Sequence, residues 1–262
     1  MAAIARVSLC CAASPFEVSR MRPLLLIQTG EAPDALLPRF GGFADWFRTA
    51  MRLQATQMSV VRVDEGEDLP HPRDTAGAVI TGSAAMVTDR AEWSERTATW
   101  IREAVDTNLP LFGVCYGHQL MAHALGGRVG WLPAGREIGT HSVTRNEPVV
   151  ADWPEGLHAS FPAHTTHRQS VLEPPQGTEV LGRSERDPHQ LLRYAPSTLS
   201  TQFHPEFTVD VMRAYIAARA DALREEGTDP EVLAAGVRET ESARRLLEHF
   251  ALAALSRDRA VA

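Results

Sequence analysis

Solid blocks of apolar residues alternate along this chain with stretches in which apolar side chains recur every three or four positions. "PLLLIQTG" (23–30) is one such block, closed by Gly30, and a run so continuous suits a strand buried on both faces of a parallel sheet. In "FADWFRTAMRL" the residues Phe43, Trp46, Phe47 and Met51 fall at helical spacing. "MSVVRV" (58–63) and "AGAVITGS" (76–83) predict two further strands, the second again ending in a glycine turn. An amphipathic helix follows in "SERTATWIREAVDTN" (94–108), with Trp100, Ile101 and Val105 inward, and then the strand "PLFGVC" (110–115). This alternation predicts an α/β fold: three layers built on a doubly wound, mostly parallel sheet. In such sheets ligands bind beyond the carboxyl ends of the strands, so the turns after Ile80 and Val114 are expected to share one crevice.

From about residue 127 short strands and turns take over, among them "REIGTHSVTR" and "HQLLRYA", as far as "LSTQFHPEF" (199–207). These are expected to be hairpins appended to the sheet. "VDVMRAYIAARADALREEG" then predicts one helix, and "TDPEVLAAGVRETESARRLLEHFALAAL" a second, opened by a capping box of Thr228 and Glu231 around Pro230. The last helix has an apolar stripe of Leu246, Leu247, Phe250 and Leu255, expected to pack on its own domain, with a homodimer contact as the alternative. The predicted organisation is an extension over 1–20, an α/β domain over 21–208 and a C-terminal helical extension over 209–262 packed on that domain. Met21 directly precedes the first strand, so residues 1–20 also fit an overcalled start.

With a formal net charge of -7, the chain lacks the cationic excess that nucleic-acid binding requires. No stretch approaches the roughly 18 apolar residues of a membrane span. The three cysteines, Cys10, Cys11 and Cys115, do not form a disulfide scaffold, and a reducing cytoplasm is the expected location. The opening segment is too short in its apolar part, with a single arginine at its positive end, to be a signal peptide.

Cys115 lies between Gly113 and Gly117 at a strand-to-helix turn. Crowding at a nucleophile elbow would demand those small neighbours, and the helix amides would favour a thiolate there. A buried structural thiol fits the two glycines as well. An elbow needs oxyanion donors, which the amide of Tyr116 and one from "ITGSA", at Gly82 or Ser83, would supply. Of ten histidines only His204 has a carboxylate at fixed spacing: in "TQFHPEF" it stands two residues from Glu206, and on a strand both would project from one face. "HTTH" (164–167) with His158 lacks the cysteines or paired carboxylates of a metal centre, so neither metal nor other cofactor is expected. His118 and His123 are expected to be structural.

Taken together, "ITGS" (80–83), "GVCYGHQL" (113–120) and "QFHPEF" (202–207), in that order, resemble the class I glutamine amidotransferases of the triad type, over roughly residues 23–208. "GREIGTHSV" (135–143) is similar to the family's segment after the elbow helix. The nearest likeness is to amidotransferase domains of the GMP synthase kind and their stand-alone relatives. The resemblance implies a flavodoxin-like fold, with Cys115 as nucleophile, His204 as acid and base and Glu206 as its orienter. It further implies oxyanion donors at Gly82 and Tyr116, and a contact from Gln119 to the amino-acid end of glutamine. The implied reaction converts glutamine to glutamate and ammonia through a γ-glutamyl thioester. No ATP-domain phosphate loop is present, so the implied partner is a separate synthetase subunit or ammonia acceptor. The same triad would serve a γ-glutamyl peptide hydrolase, and a catalytically idle regulatory or binding subunit is a third reading. "HRQSV", with His167, Arg168 and Gln169, stands where such domains have His-Ser-Asp or His-Gly-Asp, so the substrate's α-amino group is expected to be read differently.

Overall fold

The computed structural model describes residues 21–146 and 158–261. Cys10, Cys11 and the expected extension over 1–20 lie outside them. A nine-stranded sheet runs in the order β2 (Met58–Arg62), β1 (Leu24–Gln28), β3 (Gly77–Ile80), β4 (Leu111–Val114), β11 (Thr198–Thr201), β10 (Leu191–Ala195), β9 (Glu179–Arg183), β6 (Glu137–Arg145) and β7 (Ser160–His167). Its first five strands are parallel, in the 2-1-3-4-5 order of flavodoxin-like sheets, with β11 taking fifth place. The remaining four join antiparallel, β10 as a hairpin on β11, so the appended strands prolong the main sheet. β5 (Arg128–Trp131) and β8 (Gln169–Glu173) form a separate two-stranded ribbon.

Eight α-helices are described: α1 (Leu37–Phe40), α2 (Phe43–Ala50), α3 (Glu92–Asp106), α4 (Tyr116–Ala124), α5 (Val209–Ala218), α6 (Ala220–Glu225), α7 (Pro230–Ala235) and α8 (Glu241–Val261). Neighbouring residues of a strand point to opposite faces, and the core divides accordingly. Leu24, Leu26, Val79, Phe112 and Val114 pack in one cluster with Phe47 of α2, Met212 of α5 and Leu247 of α8. Leu25, Ile27, Ala78, Ile80 and Leu111 pack in another with Ile101 of α3 and Leu120 of α4. The molecule is therefore a three-layer α/β sandwich around a doubly wound sheet.

The structure corrects several local expectations. Neither C-terminal helix is continuous. The first breaks at Arg219 (φ -115°, ψ 12°) into α5 and α6, and the second into α7 and α8. After Gly236 the chain sends Val237 into the core, and the Arg238 amide donates to Thr140 Oγ1 at 3.3 Å, contacts that compete with a continued helix. The cap of α7 is Asp229 rather than Thr228, because Pro230 occupies the first helical position and Asp229 accepts from the amides of Glu231 (2.8 Å) and Val232 (3.4 Å). Residues 204–206 are not strand: β11 ends at Thr201, and Pro205, which has no N–H to offer a ladder, sits in a turn. The stripe Leu246, Leu247, Phe250 and Leu255 is buried within the chain itself. No helix among the described residues is long and apolar enough to cross a membrane.

Candidate active site

Cys115 terminates β4 and precedes the first residue of α4, with φ 52° and ψ -99°. A non-glycine residue at positive φ is strained, and such strain persists only where the surroundings enforce it. Here the Cys115 amide donates to Thr201 O (2.8 Å), the Gly117 amide to Thr81 O (3.0 Å) and the Gln119 amide back to Cys115 O (3.0 Å). Tight packing accounts for both glycines. A Cβ on Gly117 would lie 2.4 Å from the Ile80 carbonyl oxygen, and one on Gly113 would lie 2.6 Å from Gly117 O and from the Met121 sulfur. Tyr116 opens α4, so its amide has no intrahelical acceptor. Its ring is anchored away from the turn by a 2.7 Å hydrogen bond to Ser94 Oγ.

The turn after β3 faces this elbow. A Cβ on Gly82 would stand 3.6 Å from Cys115 Cβ and 3.1 Å from His204 Cε1. Thr29 fixes that turn, its hydroxyl donating toward Thr81 O (3.1 Å) and Gly82 O (3.0 Å). His204 reaches the same place from beyond β11. Its amide donates to His164 O at 2.7 Å, the single bridge that ties this turn to β7. Its ring stacks on Phe207 with centroids 4.1 Å apart, and its Nδ1 is 2.7 Å from Glu206 Oε1. Nε2 is buried and has no hydrogen-bond partner among the described residues. Burial opposes a charge on this imidazole, but Glu206 and the Cys115 sulfur outweigh it and push the His204 pKa up to about 10. His164 moves the other way, to about 4, through burial and the charge on His204.

Cys115, Tyr116, Gln119, Gln169, Arg136 and Arg219 line a cavity of about 240 Å³, with Ser83, His167 and Arg168 also on its wall. Gln119 spends its amide group inside the protein, donating to Gln169 O (2.7 Å) and Gln202 Oε1 (2.9 Å), so only its carbonyl oxygen remains to offer. The three residues of "HRQ" diverge. His167 is buried beside Glu137 (3.5 Å) and Asp187 (3.3 Å), Arg168 is exposed over the Trp131 ring, and Gln169 donates to Thr88 Oγ1 (2.6 Å) while its Oε1 is buried without a partner among the described residues. His118, fully buried, is held by Ser200 Oγ at 2.7 Å, and burial lowers its pKa to about 3. His123 lies 3.1 Å from Glu95. Among the described residues no group of histidines, cysteines and carboxylates is arranged to hold a metal ion.

Elbow, His204–Glu206 pair, Gly82, Tyr116 and Gln119 thus meet in one place. Arg136 and Arg219 join them unannounced, because each is an ordinary basic residue beside other charges in the sequence. A larger cavity, about 780 Å³, opens at the amino ends of β4 and β11, where Pro110 and Ser197 line it. These are the ends opposite Cys115, so the larger cavity is remote from the elbow.

Residues 40–220 match the family Glutamine amidotransferase class-I. Gamma-glutamyl peptidase 2 of Arabidopsis thaliana is 26% identical over 202 residues, covering 74% of this chain and 80% of that protein. A glutamine-hydrolyzing GMP synthase of Aeropyrum pernix is 30% identical over 186 residues; these cover 69% of this chain but 34% of the synthase, so the match spans about a third of that enzyme. Among solved structures, a glutamine amidotransferase from Methylobacillus flagellatus superposes with a TM-score of 0.70 at 22% identity, covering 91% of this chain and 96% of its own. Another from Thermotoga maritima gives 0.70 at 20% identity over 90% and 98%. At these identities the structural likeness establishes the fold, while the sequence match over residues 40–220 establishes kinship: the chain belongs to the class I glutamine amidotransferase family.

Proposed function

We propose that this chain hydrolyses a γ-glutamyl amide, with Cys115 as nucleophile, His204 as acid and base and Glu206 as the group that orients the imidazole. The observation that carries this reading is the buried His204 ring, fixed by Glu206 on Nδ1 at 2.7 Å, its Nε2 without a hydrogen-bond partner among the described residues, beside a cysteine in a strained turn. The sulfur attacks the γ-carbonyl carbon, and the developing oxyanion is received by the amides of Tyr116 and the Gly82 turn. Each such donor is typically worth about 10²–10³ in rate. As the carbon–nitrogen bond breaks, the imidazolium passes its proton to the departing nitrogen. A γ-glutamyl thioester remains, and water, giving up a proton to the now neutral His204, displaces the sulfur and releases glutamate.

The α-ammonium of the glutamyl group would be met by oxygen acceptors, Gln119 Oε1 and Gln169 Oε1, in place of a carboxylate. The cavity, about 240 Å³, is below the roughly 300–1,000 Å³ of drug-sized sites, so it suits one amino-acid-sized group with any attached residue at its mouth. Glutamine fits this description, its ammonia passing to a separate acceptor or synthetase subunit. So does a γ-glutamyl peptide, the substrate class named in the Arabidopsis relative. The test is glutamate release from glutamine and from γ-glutamyl dipeptides by the wild type and by Cys115→Ala. Turnover by the wild type and its abolition in the variant are expected; equal rates in the two proteins would remove Cys115 from the mechanism.

A further inference from the structure

Three arginines surround the cavity, although the chain as a whole carries a net charge of -7. Two of them are already engaged. Arg136 forms a two-pronged ion pair with Glu226, Nε and Nη2 each 2.8 Å from a carboxylate oxygen. Arg168 is exposed and lies 4.7 Å over the Trp131 ring. Arg219 lies over a ring as well, 4.5 Å from the centre of Tyr215, but it makes no ion pair with any described carboxylate, and its Nη1 is buried without an acceptor among the described residues. A buried guanidinium nitrogen in that condition forfeits the hydrogen bonds it would make to water, unless a ligand restores them.

The position of Arg219 indicates which part of a substrate it meets. His204 stacks on Phe207 (4.1 Å), the Phe207 and Tyr215 rings meet tilted at 41° with centroids 4.7 Å apart, and the Arg219 guanidinium lies 4.5 Å from the Tyr215 ring centre. This series of ring contacts links Arg219 to His204, and Arg219 shares the cavity wall with Cys115. Arg219 itself stands at the break between α5 and α6, where it leaves helical geometry. The proton for the leaving nitrogen comes from His204, so the leaving group departs on the His204 side. Arginine matches a carboxylate in charge and in planar geometry.

We propose that Arg219 is a specificity residue that binds a carboxylate on the leaving group, and that the substrate is accordingly a γ-glutamyl peptide with a free C-terminal carboxylate rather than glutamine. This rests on the catalytic reading above. Ammonia, the leaving group from glutamine, has nothing for Arg219 to hold, whereas the amino acid released from a γ-glutamyl dipeptide has a carboxylate.

The experiment measures kcat and KM for γ-glutamyl-alanine, its C-terminal amide and glutamine with wild type, Arg219→Gln and Arg219→Lys. Wild type is expected to favour the acid over its amide by roughly ten- to a hundred-fold in kcat/KM, the range of a charge-assisted hydrogen bond. In Arg219→Gln that ratio should fall towards one through a raised KM for the acid, and Arg219→Lys should restore part of it. A ratio preserved in Arg219→Gln overturns the proposal. So do equal losses on all three substrates, which would assign Arg219 to the glutamyl carboxylate or to folding. If wild type releases no glutamate from any substrate, the catalytic reading fails and the proposal with it. Turnover of all three with an unchanged ratio defeats the proposal alone.

Discussion

His204 stands under opposing influences, burial against the charge and Glu206 with Cys115 for it, and its pKa settles near 10 against an ordinary 6.5. Because the folded value is raised, the stabilisation from the protonated ring is complete below about pH 6.5 and is lost as pH rises through about 10. Glu206→Gln should therefore move the alkaline loss of stability to lower pH, read from urea unfolding across that window. The same variant should lower kcat for glutamate release by about 10²–10⁴-fold and shift the alkaline limb of the pH–rate profile in parallel. An alkaline limb that stays in place would separate Glu206 from the imidazole's charge. The pairing of His204 with Glu206 was legible from their spacing, but the expected common strand face was not how they meet. Pro205 ends the ladder and a turn brings the carboxylate to Nδ1. Gln119 shows the complementary limit, since the family resemblance implied its contact with substrate but only tertiary packing shows that its amide hydrogens are already spent.

At the level of elements, the elbow is a junction of β3, β4 and α4 held at backbone contact. In Gly117→Ala the new methyl would meet the Ile80 carbonyl oxygen at 2.4 Å, so α4 must move off β3. A cost of about 1–3 kcal/mol is expected, with loss of activity as Cys115 is displaced. Gly82→Ala meets a side-chain atom, His204 Cε1, at 3.1 Å, and should cost mainly activity and little stability. Urea melts alongside glutamate-release assays distinguish the two; equal destabilisation would contradict this account. The two glycines around Cys115 and the turn at Gly82 were readable because steric demand acts locally. The parallel strands were readable because burial on both faces leaves an unbroken apolar run, as in β1 and β4. β7 and β8 gave no such signal, because their buried positions include polar residues, His164, His167 and Gln169, whose side chains face groups from other parts of the chain, Thr140, Glu137 and Thr88 among them. The break of the last helix near Gly236 was equally silent, being set by contacts of Val237 and Arg238 with other elements.

Across the whole molecule, α5 and α8 complete the layer that α2 begins, and α8 does so beyond residue 220, where the family match ends. Leu247, Phe250, Ala251, Ala254 and Leu255 of α8 cover the face of the sheet that bears Leu24, Val79 and Phe112, with Phe112 and Phe250 rings 5.3 Å apart. Burial of a large apolar side chain contributes about 1.5–3 kcal/mol, so α8 supplies a sum comparable with the roughly 5–15 kcal/mol stability of a typical domain. A chain ended after Glu239 should therefore lose cooperative thermal unfolding, measured by circular dichroism; a sharp transition retained without α8 would show that this layer is dispensable. By itself the sequence determined the layered α/β architecture, the strained turn at Cys115 and the residue types for thioester chemistry, because period, glycine placement and short spacings are local properties. Only the tertiary structure decided that His204 and Glu206 meet through a turn rather than along a strand, where the C-terminal helices break, and that Arg219 reaches the cavity with no described carboxylate as its partner. Those outcomes depend on contacts between residues far apart in the chain, which no local pattern encodes.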